Sequence, residues 1–430
     1  MSPPAPFPSR YCTLRLVSVD GKQPRVVPKG IDVCVIAAAP NALEQPEGPV
    51  HWVRPQGAGL RVSSALAHSQ GARFTGIGAH AAPKHDGRMG TGRGMRAILW
   101  VAAAAAAVMG SVGPCWAWGA TGHEWVSGIA IEKLPDSLPA FVRTPEAAAE
   151  IAVMGRELDR SKGAGKTHDA ERDPGHYVDL ADDGSVEGVL PLDQLPETRE
   201  AYDTALRAKG LTQYKAGYLP YAIVDGWQQL RKDFAYWRAA VKGAETAKTP
   251  EERAWFEKDR ALREKLTLRD IGIWSHYGGD ASQPLHVSVH YNGWGNYPNP
   301  NDYTTRKIHA YFEGEFVRRN LARAGVADLV GTYQPCGCSI EERTRALLRA
   351  SLAEVEPLYA LEKEGGFKSR DPRGIAFATA RLAAGATAVR DMIVQAWLES
   401  ADTPVGYPMV NVRDIESGKV RATRELFGAD

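Results

Sequence analysis

Cysteine is scarce in this chain, which limits how the protein can be held together and what it can bind. The 430 residues include five cysteines, and only Cys336 and Cys338 follow residue 117. A structural zinc site or a disulfide-rich scaffold draws on a larger set of thiols. The sequence therefore predicts neither. A local disulfide between these two residues, in an oxidising compartment, stays open, and we assign the pair no function from sequence.

Long apolar runs are also missing. The longest lies within residues 95–117, has about a dozen residues and is mostly alanine, whereas a membrane-spanning helix needs about 20 strongly apolar residues. Arg93 and Arg96 precede the run and small residues end it, an order typical of a secretory signal peptide. We expect cleavage before Trp118, a secreted or periplasmic protein, and no transmembrane anchor. A membrane anchor and a buried alanine-rich helix are the alternatives for residues 95–117.

The residues before this run differ in composition from those after it. Residues 1–94 are rich in Pro, Gly, Ala and Arg; basic residues outnumber acidic ones 12 to 5 through residue 117, but number 40 against 46 afterwards. Because an export signal acts at the start of a chain, we expect Met89 or Met95 to be the true start. Residues 1–94 are then a wrongly assigned or disordered leader. The slightly acidic remainder lacks the basic patch of a tight duplex binder.

Helix-forming patterns dominate the chain after residue 117. Apolar residues recur at a spacing near 3.6, among many Ala, Leu, Arg and Glu residues. This predicts a mainly α, single-domain, multi-helix bundle over residues 118–400, followed by a C-terminal tail over 401–430. The predicted helices are 122–134, 144–160, 217–241, 250–281, 303–324, 339–362 and 371–399.

Two predicted connections between these helices stand out. Residues 180–197 are acidic and contain Pro and Gly, whereas residues 288–303 are dense in Gly, Asn, Pro and aromatic residues. An ordered loop of the second kind is more typical of a pocket rim than of a linker. We therefore expect Tyr291 and Trp294 to contact substrate.

Histidine is scarce too, but it is concentrated. Of eleven histidines, seven follow residue 117, and His276 and His286 share a short stretch with Asp280. Residues four apart on a helix project from nearly the same face, which brings His276 beside Asp280. Pro284 ends that helix, so His286 can turn back toward the same space. This pattern suits a metal better than an apolar core.

A second pair repeats the pattern on the next predicted helix. His309 and Glu313 are also four residues apart, and paired His and carboxylate residues on successive helices build di-metal sites in helical bundles. For either pair alone, a contact on a solvated helix face is the alternative. Imidazole with carboxylate and no thiolate favours zinc in an incompletely filled catalytic site. The sequence has no convincing catalytic triad and no GxxxxGK phosphate loop.

Together these motifs resemble the superfamily of zinc-dependent phospholipases C and single-strand-specific zinc nucleases. The matching stretches are WGATGH (118–123), HYVD (176–179), HYGGDASQPLH (276–286) and HAYFE (309–313). The resemblance covers about residues 118–400 and implies a helical fold with a trinuclear metal cleft that holds three zinc ions. The implied ligands are Trp118, through the amine and carbonyl of a free N terminus, with His123 and Asp280 for one zinc; Asp159, His176, His276 and Asp280 for the second; and His286, His309 and Glu313 for the third.

Two implied roles concern the residues around Asp159. Asp159 precedes His176 by seventeen residues, and Asp169 and Asp173 are nearer alternatives. Lys162 lies where nucleases of this superfamily carry an arginine that contacts phosphate; a lysine supplies the same charge as a point donor. An ordinary solvated lysine is the alternative. The resemblance also implies that Asp280 orients the catalytic water, so that Asp280 and Lys162 are the expected catalytic residues.

The two branches of the superfamily differ around the metals. Tyr177 and Asp179 match nuclease residues that stack on a base and hydrogen-bond its edge, so the resemblance implies single-stranded nucleic acid or nucleotides as substrate. The activity is then that of an endonuclease or 3′-nucleotidase that cleaves P–O3′ bonds. A packed aromatic and a carboxylate that orients a ligand histidine are the alternative. Glu313 matches the phospholipase C choice, so phospholipid is the second substrate class.

A non-catalytic, secreted, metal-binding helical protein is the third reading. No protein partner is inferred from the sequence under any of these readings.

Overall fold

The computed structural model describes residues 118–428, all within one folding unit, Gly92–Asp430. The expected leader (1–94) and signal peptide (95–117) lie outside the described residues. The α-helices are α1 (Gly119–Glu132), α2 (Pro145–Met154), α3 (Glu157–Arg160), α4 (Lys166–Arg172), α5 (Arg199–Arg207), α6 (Gln213–Ala216), α7 (Leu219–Thr246), α8 (Pro250–Asp280), α9 (Val317–Asn320), α10 (Arg323–Leu329), α11 (Ile340–Leu352), α12 (Val355–Lys363), α13 (Pro372–Ser400) and α14 (Val412–Glu416).

Shorter elements connect these helices. The 3₁₀ turns are Ala140–Val142, Asp173–His176, Leu192–Gln194, Pro284–His286 and Glu425–Phe427, and Tyr311–Phe316 is a π-helix. The strands are β1 (Ser185–Val186), β2 (Leu190–Pro191), β3 (Pro404–Val405) and β4 (Val410–Asn411), which form two antiparallel pairs, β1–β2 and β3–β4. The prediction of a mainly α, single-domain bundle is confirmed.

The long helices match the sequence pattern most closely because their ends carry strong signals. At the start of α8 the Thr249 hydroxyl accepts from the Glu252 N–H and proline occupies the first turn, an arrangement that favours initiation. Asp371 and Pro372 start α13 in the same way. The predicted helix 339–362 is instead two helices, α11 and α12. Ser339 and Glu342 form a capping box at the start of α11.

The predicted helix over 303–324 is wrong at its start. Residues up to 308 are irregular, and the π-helix and α9 follow. The Asn299 side chain accepts from the Tyr303 N–H at 2.8 Å and donates to the Tyr303 carbonyl at 2.8 Å. Such side-chain bonds compete with the helical hydrogen bonds of the backbone, so helix formation begins only after this loop.

The helical hairpin of α7 and α8 forms the centre of the core, and α1 and α13 pack against it. Buried tryptophans join these helices. The Trp227 indole N–H donates to the Met392 carbonyl and that of Trp274 donates to the Ile223 carbonyl, each at 2.9 Å. A buried indole needs such a partner because its N–H has lost water. The Trp274 bond holds α8, which carries two predicted ligands, against α7, and the Trp227 bond holds α7 against α13.

Residues 401–428, expected as a tail, pack against the far end of the same hairpin. Val405, Val412 and Ile415 form a second apolar cluster with Phe256 and small residues of α7. None of the helices within residues 118–428 combines the length and the apolar character needed to cross a membrane.

The contact of α7 with α8 near this end gives a test of the packing. A Cβ at Gly243 would lie 2.5 Å from the Phe256 ring. Alanine gains about 1 kcal/mol in helix propensity over glycine, but a well-packed ring must move, at a cost of about 1–3 kcal/mol. We expect Gly243→Ala to lower the free energy of unfolding in denaturant titrations.

Gly325 in α10 is the matched control, because a Cβ there would meet only Thr379, at 3.9 Å. We expect Gly325→Ala to be neutral or stabilising. Equal effects of the two substitutions would contradict the packing described for α7 and α8.

Candidate metal centre

Five imidazoles and three carboxylates that the sequence predicts as ligands lie in buried, adjoining groups near the C-terminal end of α8. Four parts of the fold deliver them: α1, the α3 region with the 173–176 turn, the end of α8 with the 284–286 turn, and the π-helix with the turn before it. The three groups are His123, Asp159 and His276; His176, His276 and Asp280; and His286, His309 and Glu313.

His276 belongs to the first two groups. Its Nδ1 lies 2.8 Å from the Gly155 carbonyl, which can only accept, so Nδ1 carries the proton and Nε2 offers its lone pair to the cluster. Nε2 lies 3.0 Å from His176 Nδ1 and 3.4 Å from Asp280 Oδ2. The Gly155 contact thus fixes the ring in the tautomer that a metal ligand needs.

His123 reaches the same group from α1. Its ring stacks on His276, with centroids 3.7 Å apart and planes at 11°, and its Nε2 lies 3.4 Å from Asp280 Oδ1. A Cβ at Gly279 would come within 3.0 Å of His123 Nδ1. Glycine at 279 therefore lets α1 approach α8 closely enough for the two histidines to meet.

In the third group, as for His276, a backbone carbonyl fixes the tautomer of a histidine. His286 Nδ1 donates to the His176 carbonyl at 2.7 Å, so its Nε2 faces the group and lies 3.6 Å from Glu313 Oε2. His309 Nε2 lies 2.7 Å from the same oxygen. Glu313 sits in the π-helix Tyr311–Phe316, an element often found at functional sites.

Many buried atoms of these groups have no hydrogen-bond partner within the described residues. They are both ring nitrogens of His123, Oδ2 of Asp159, Nε2 of His176, Oδ1 of Asp280, Nε2 of His286 and Oε1 of Glu313. Leaving one buried polar group unpaired costs about 1–3 kcal/mol, so a bound ion would stabilise this concentration of unpaired atoms. The donor set is nitrogen and carboxylate oxygen without thiolate. The cluster can therefore hold metal ions.

The electrostatics favour the protonation states that metal ligation needs. Complete burial holds the pKa of His276 well below its usual range, although Asp280 opposes this. Burial disfavours the charge on Asp280, but the surrounding imidazoles of His276, His286, His123 and His176 hold its pKa well below the usual range. Burial likewise opposes, and the neighbouring histidines lower, the pKa of Glu313. Neutral imidazole and ionised carboxylate are the ligating forms.

Asp159, rather than Asp169 or Asp173, lies in the cluster. Its Oδ1 is 2.6 Å from Lys162 Nζ and 3.9 Å from His276 Nε2. Burial alone would lower the pKa of Lys162, but Asp159, Asp280 and Asp173 raise it. A charged ammonium therefore lies at the edge of the metal groups.

Trp118 is fully buried at the start of α1, with a positive φ of 37°. Its indole N–H donates to the Gly279 carbonyl at 2.9 Å and to Ser282 Oγ at 3.1 Å, which ties the start of α1 to the end of α8. Its carbonyl accepts from the Gly122 N–H at 3.1 Å. The three groups consist of imidazole and carboxylate side chains, and ligation by the Trp118 amine stays a prediction that depends on cleavage of the preceding bond.

Tyr177 and Asp179 follow His176 in the chain; Tyr177 is half-buried and Asp179 is buried. The Tyr177 hydroxyl donates to the Tyr214 carbonyl at 2.9 Å, and Gly217, with φ +75°, allows close approach because a Cβ there would lie 2.7 Å from the Tyr177 ring. The ring is half-buried. Burial, and secondarily Glu187, raise the pKa of Asp179 well above its usual range.

The two loop aromatics have different environments. Tyr291 is 52% exposed, whereas Trp294 is only 6% exposed. Trp294 stacks on His290, with ring centroids 3.8 Å apart, and donates to the Pro298 carbonyl at 2.8 Å. Its ring and its N–H hold the loop, and Trp294 also lines a cavity with Asp182 and Pro298, so the expected substrate contacts of Tyr291 and Trp294 stay a prediction. Tyr291 keeps an accessible ring.

Sequence reasoning missed Gln283. Its Nε2 lies 3.1 Å from His309 Nε2 and 3.4 Å from Glu313 Oε2, while its Oε1 accepts from the Leu285 N–H at 2.6 Å. This buried amide orients two side chains of the third group. Its position three residues after Asp280 was visible in the sequence, but an amide between two ligands carries no spacing signal of its own.

No protein-family model matches this chain, and a search of curated proteins finds no match either.

Removal of one ligand gives the first test of the cluster. We expect His276→Ala to weaken metal binding by more than about 100-fold, because even partners outside the ligand shell contribute about 10–100-fold. Metal content after dialysis, measured by mass spectrometry, is the readout. His168→Ala is the control, because His168 is half-exposed, pairs with Asp169 and lies outside the groups. Unchanged metal content in His276→Ala would exclude the site.

The raised pKa of Asp179 gives a second test. The folded state binds the proton more tightly than the unfolded chain, so the contribution of Asp179 to stability is complete below about pH 4 and is lost as pH rises through the folded pKa. We expect Asp179→Asn to raise the melting temperature at pH 7 and to lose this advantage near pH 4. Each unit of pKa difference is worth about 1.4 kcal/mol.

Thermal unfolding of both proteins across this pH range provides the measurement. A pH-independent difference between them would contradict the assignment.

Proposed function

We propose that this protein is a secreted or periplasmic, zinc-dependent phosphodiesterase of the phospholipase C and zinc nuclease superfamily, and that it acts on single-stranded nucleic acid or nucleotides. The observation that carries the proposal is the buried convergence of imidazole and carboxylate atoms, many of them without hydrogen-bond partners among the described residues. Nitrogen and oxygen ligands without thiolate are typical of catalytic zinc. Zinc as the metal, and three ions as the number, belong to the proposal.

Zinc bound there supplies a Lewis acid that polarises a phosphoryl oxygen and lowers the pKa of water. The ligands are those named by the resemblance, with Trp118 added once cleavage frees its amine. The residues of the chain supply the rest. The Lys162 ammonium, held 2.6 Å from Asp159 Oδ1, is placed to neutralise a phosphate in the cleft. The ionised Asp280 carboxylate, between three histidines, orients the water.

Substrate choice depends on Tyr177 and Asp179, which follow His176 in the chain. Tyr177 is half-buried and anchored through its hydroxyl, so its ring is held in one orientation on which a base can stack. Stacking of this kind is worth about 1–3 kcal/mol per base. Asp179, whose carboxyl favours the protonated form because it is buried, can hydrogen-bond a base edge. These features favour an endonuclease or 3′-nucleotidase that cleaves P–O3′ bonds.

Phospholipase C is the second candidate, and Glu313 favours it. The resemblance places glutamate here in the phospholipases and aspartate in the nucleases, and the structure shows Glu313 reaching both His286 and His309 with one oxygen. Glutamate and aspartate bind zinc at similar distances, so this residue alone does not outweigh Tyr177 and Asp179.

The substrate class is tested by comparing cleavage of single-stranded DNA with cleavage of phosphatidylcholine by zinc-loaded, secreted protein, with a chelator control. We expect chelator-sensitive DNA cleavage. Cleavage of lipid alone would move the protein to the second candidate, and cleavage of neither substrate would contradict the proposed activity.

The stacking role of Tyr177 has a separate prediction. We expect Tyr177→Ala to lower kcat/KM for single-stranded DNA by about 10–100-fold, since about 1.4 kcal/mol corresponds to tenfold. Turnover of a simple aryl phosphodiester should change little, because that substrate has no base. Tyr177→Phe keeps the ring and is the matched control. Equal losses on both substrates would show that Tyr177 supports the metal site instead.

A further inference from the structure

The segment between α10 and α11 carries a disulfide, Cys336–Cys338, that the proposed metal chemistry does not use. Gly337 between the two cysteines has a φ of +64°, a conformation that favours glycine. A disulfide that closes a loop with one intervening residue reduces the conformational entropy of the unfolded chain very little. Fold stabilisation is therefore a weak reason for this bond, and the surroundings of its sulfur atoms indicate another use.

A fixed cation lies against one sulfur. Arg343 Nη2 is 2.8 Å from Cys336 Sγ. The guanidinium is held from α13, because its Nε donates to Gln395 Oε1 at 2.8 Å and its Nη1 lies 3.4 Å from Asp391 Oδ2. The Arg343 side chain is only 13% exposed, so solvent screens this contact less than that of a free surface arginine.

Backbone donors add to this positive environment. The Cys338 N–H points at Cys336 Sγ from 3.2 Å. Cys338 directly precedes Ser339, the N-cap of the thirteen-residue helix α11, whose start carries the positive end of the helix dipole. Gln395 Nε2 donates to the Cys338 carbonyl at 2.9 Å and so fixes the loop on α13. Cations and helix starts stabilise thiolates and make cysteines reactive.

The solvent exposure of Cys336 favours reaction of its sulfur atom. Cys336 and Gly337 are exposed, and Cys338 is half-buried. The exposed sulfur is the one beside Arg343, so the stabilised thiolate of a reduced pair faces solvent, where it can meet another sulfur compound.

We propose that Cys336 and Cys338 form a redox-active pair that exchanges electrons with thiols and disulfides of other molecules. Cys336 is the nucleophile and leaving group, and Cys338 is the resolving residue. This inference uses no metal ligand and holds whether or not the proposed phosphodiesterase activity is present.

Reduction of the pair proceeds in two exchanges. An incoming thiolate attacks Cys338 Sγ; the Cys336–Cys338 bond breaks, a mixed disulfide forms on Cys338, and the electron pair of the broken bond leaves on Cys336 Sγ beside Arg343. A second thiolate attacks the sulfur of the first, which releases Cys338 as a thiolate and forms the partner disulfide. Two thiols lose two electrons and two protons, and the cysteine pair gains them.

The reverse reaction starts from the Cys336 thiolate. It attacks a partner disulfide, releases one partner thiolate and forms a mixed disulfide on Cys336. Cys338 then attacks Cys336 Sγ, which restores the Cys336–Cys338 bond and releases the second partner thiolate. A small thiol such as glutathione and a cysteine-bearing polypeptide present the same sulfur chemistry to this pair.

The test uses the full chain with single thiols after residue 117. In Cys338→Ser only Cys336 remains there, and in Cys336→Ser only Cys338. Cysteines at 12, 34 and 115 are replaced by serine in every sample if the purified chain retains them. We expect Cys336 to react with iodoacetamide at pH 7 about tenfold faster than Cys338, because only Cys336 contacts the guanidinium.

Charge variants separate electrostatics from folding. In the Cys338→Ser background, Arg343→Gln should slow the reaction of Cys336 about tenfold, and Arg343→Lys should retain most of the rate. Arg207→Gln is the control, because Arg207 is exposed and pairs with Asp203 on α5. Circular dichroism checks that the helices are intact. Equal rates for the two thiols, together with no effect of Arg343→Gln, would overturn the proposal.

Two further incubations then show whether the pair exchanges with a small thiol or with the cysteines of a polypeptide. The otherwise unmodified pair is incubated with glutathione redox buffer, and separately with a polypeptide whose disulfides have been scrambled. Exchange with glutathione alone assigns a small thiol as partner, and refolding of the scrambled polypeptide assigns protein thiols; either supports the proposal. A disulfide that stays oxidised in millimolar reduced glutathione and refolds no polypeptide would contradict it.

Discussion

Burial of many ionisable groups in one place is the constraint on which this structure depends. Five imidazoles and three carboxylates meet with little or no access to solvent, and an unpaired charge in such a position is too costly to retain unless it is neutralised or bound. Carbonyl groups of Gly155 and His176 fix two imidazoles so that lone pairs face inward. The surrounding helices hold these donors together at a cost in local stability that a bound cation would offset.

The helices are arranged so that the buried ionisable groups meet at the C-terminal end of α8. α8 ends at Asp280, so that one helix carries two of the candidate ligands and the turn after it carries a third. α1 approaches closely only because residue 279 is glycine, and the Trp118 indole ties the two helices at the same level. α7 and α13 pack against α8 along its length. The position of the cluster therefore follows from the packing of long helices rather than from flexible loops.

The sequence predicted this framework and the clustering of these side chains well where a residue carried its own signal. Four-residue spacing on a helix places His276 beside Asp280 and His309 beside Glu313, and proline marks the turn that brings His286 back. The sequence predicted less where tertiary contacts determine which residue joins the cluster or which backbone conformation forms. No local sequence pattern predicts that Asp159, rather than Asp169 or Asp173, joins the cluster. Nor does a local pattern predict the π-helix around Glu313 or the burial of Trp294 against His290. Arg343 lies seven residues from Cys336, and only the packing on α13 directs it to the sulfur.

The most direct test of the central claim is zinc K-edge X-ray absorption of the purified, secreted protein, together with its metal content. We expect bound zinc whose nearest neighbours are nitrogen and oxygen atoms at about 2.0–2.2 Å, with no sulfur at about 2.3 Å. Three ions per chain would match the proposed number. Protein that takes up no zinc, or zinc with sulfur neighbours, would contradict the assignment of the buried histidines and carboxylates as a metal centre.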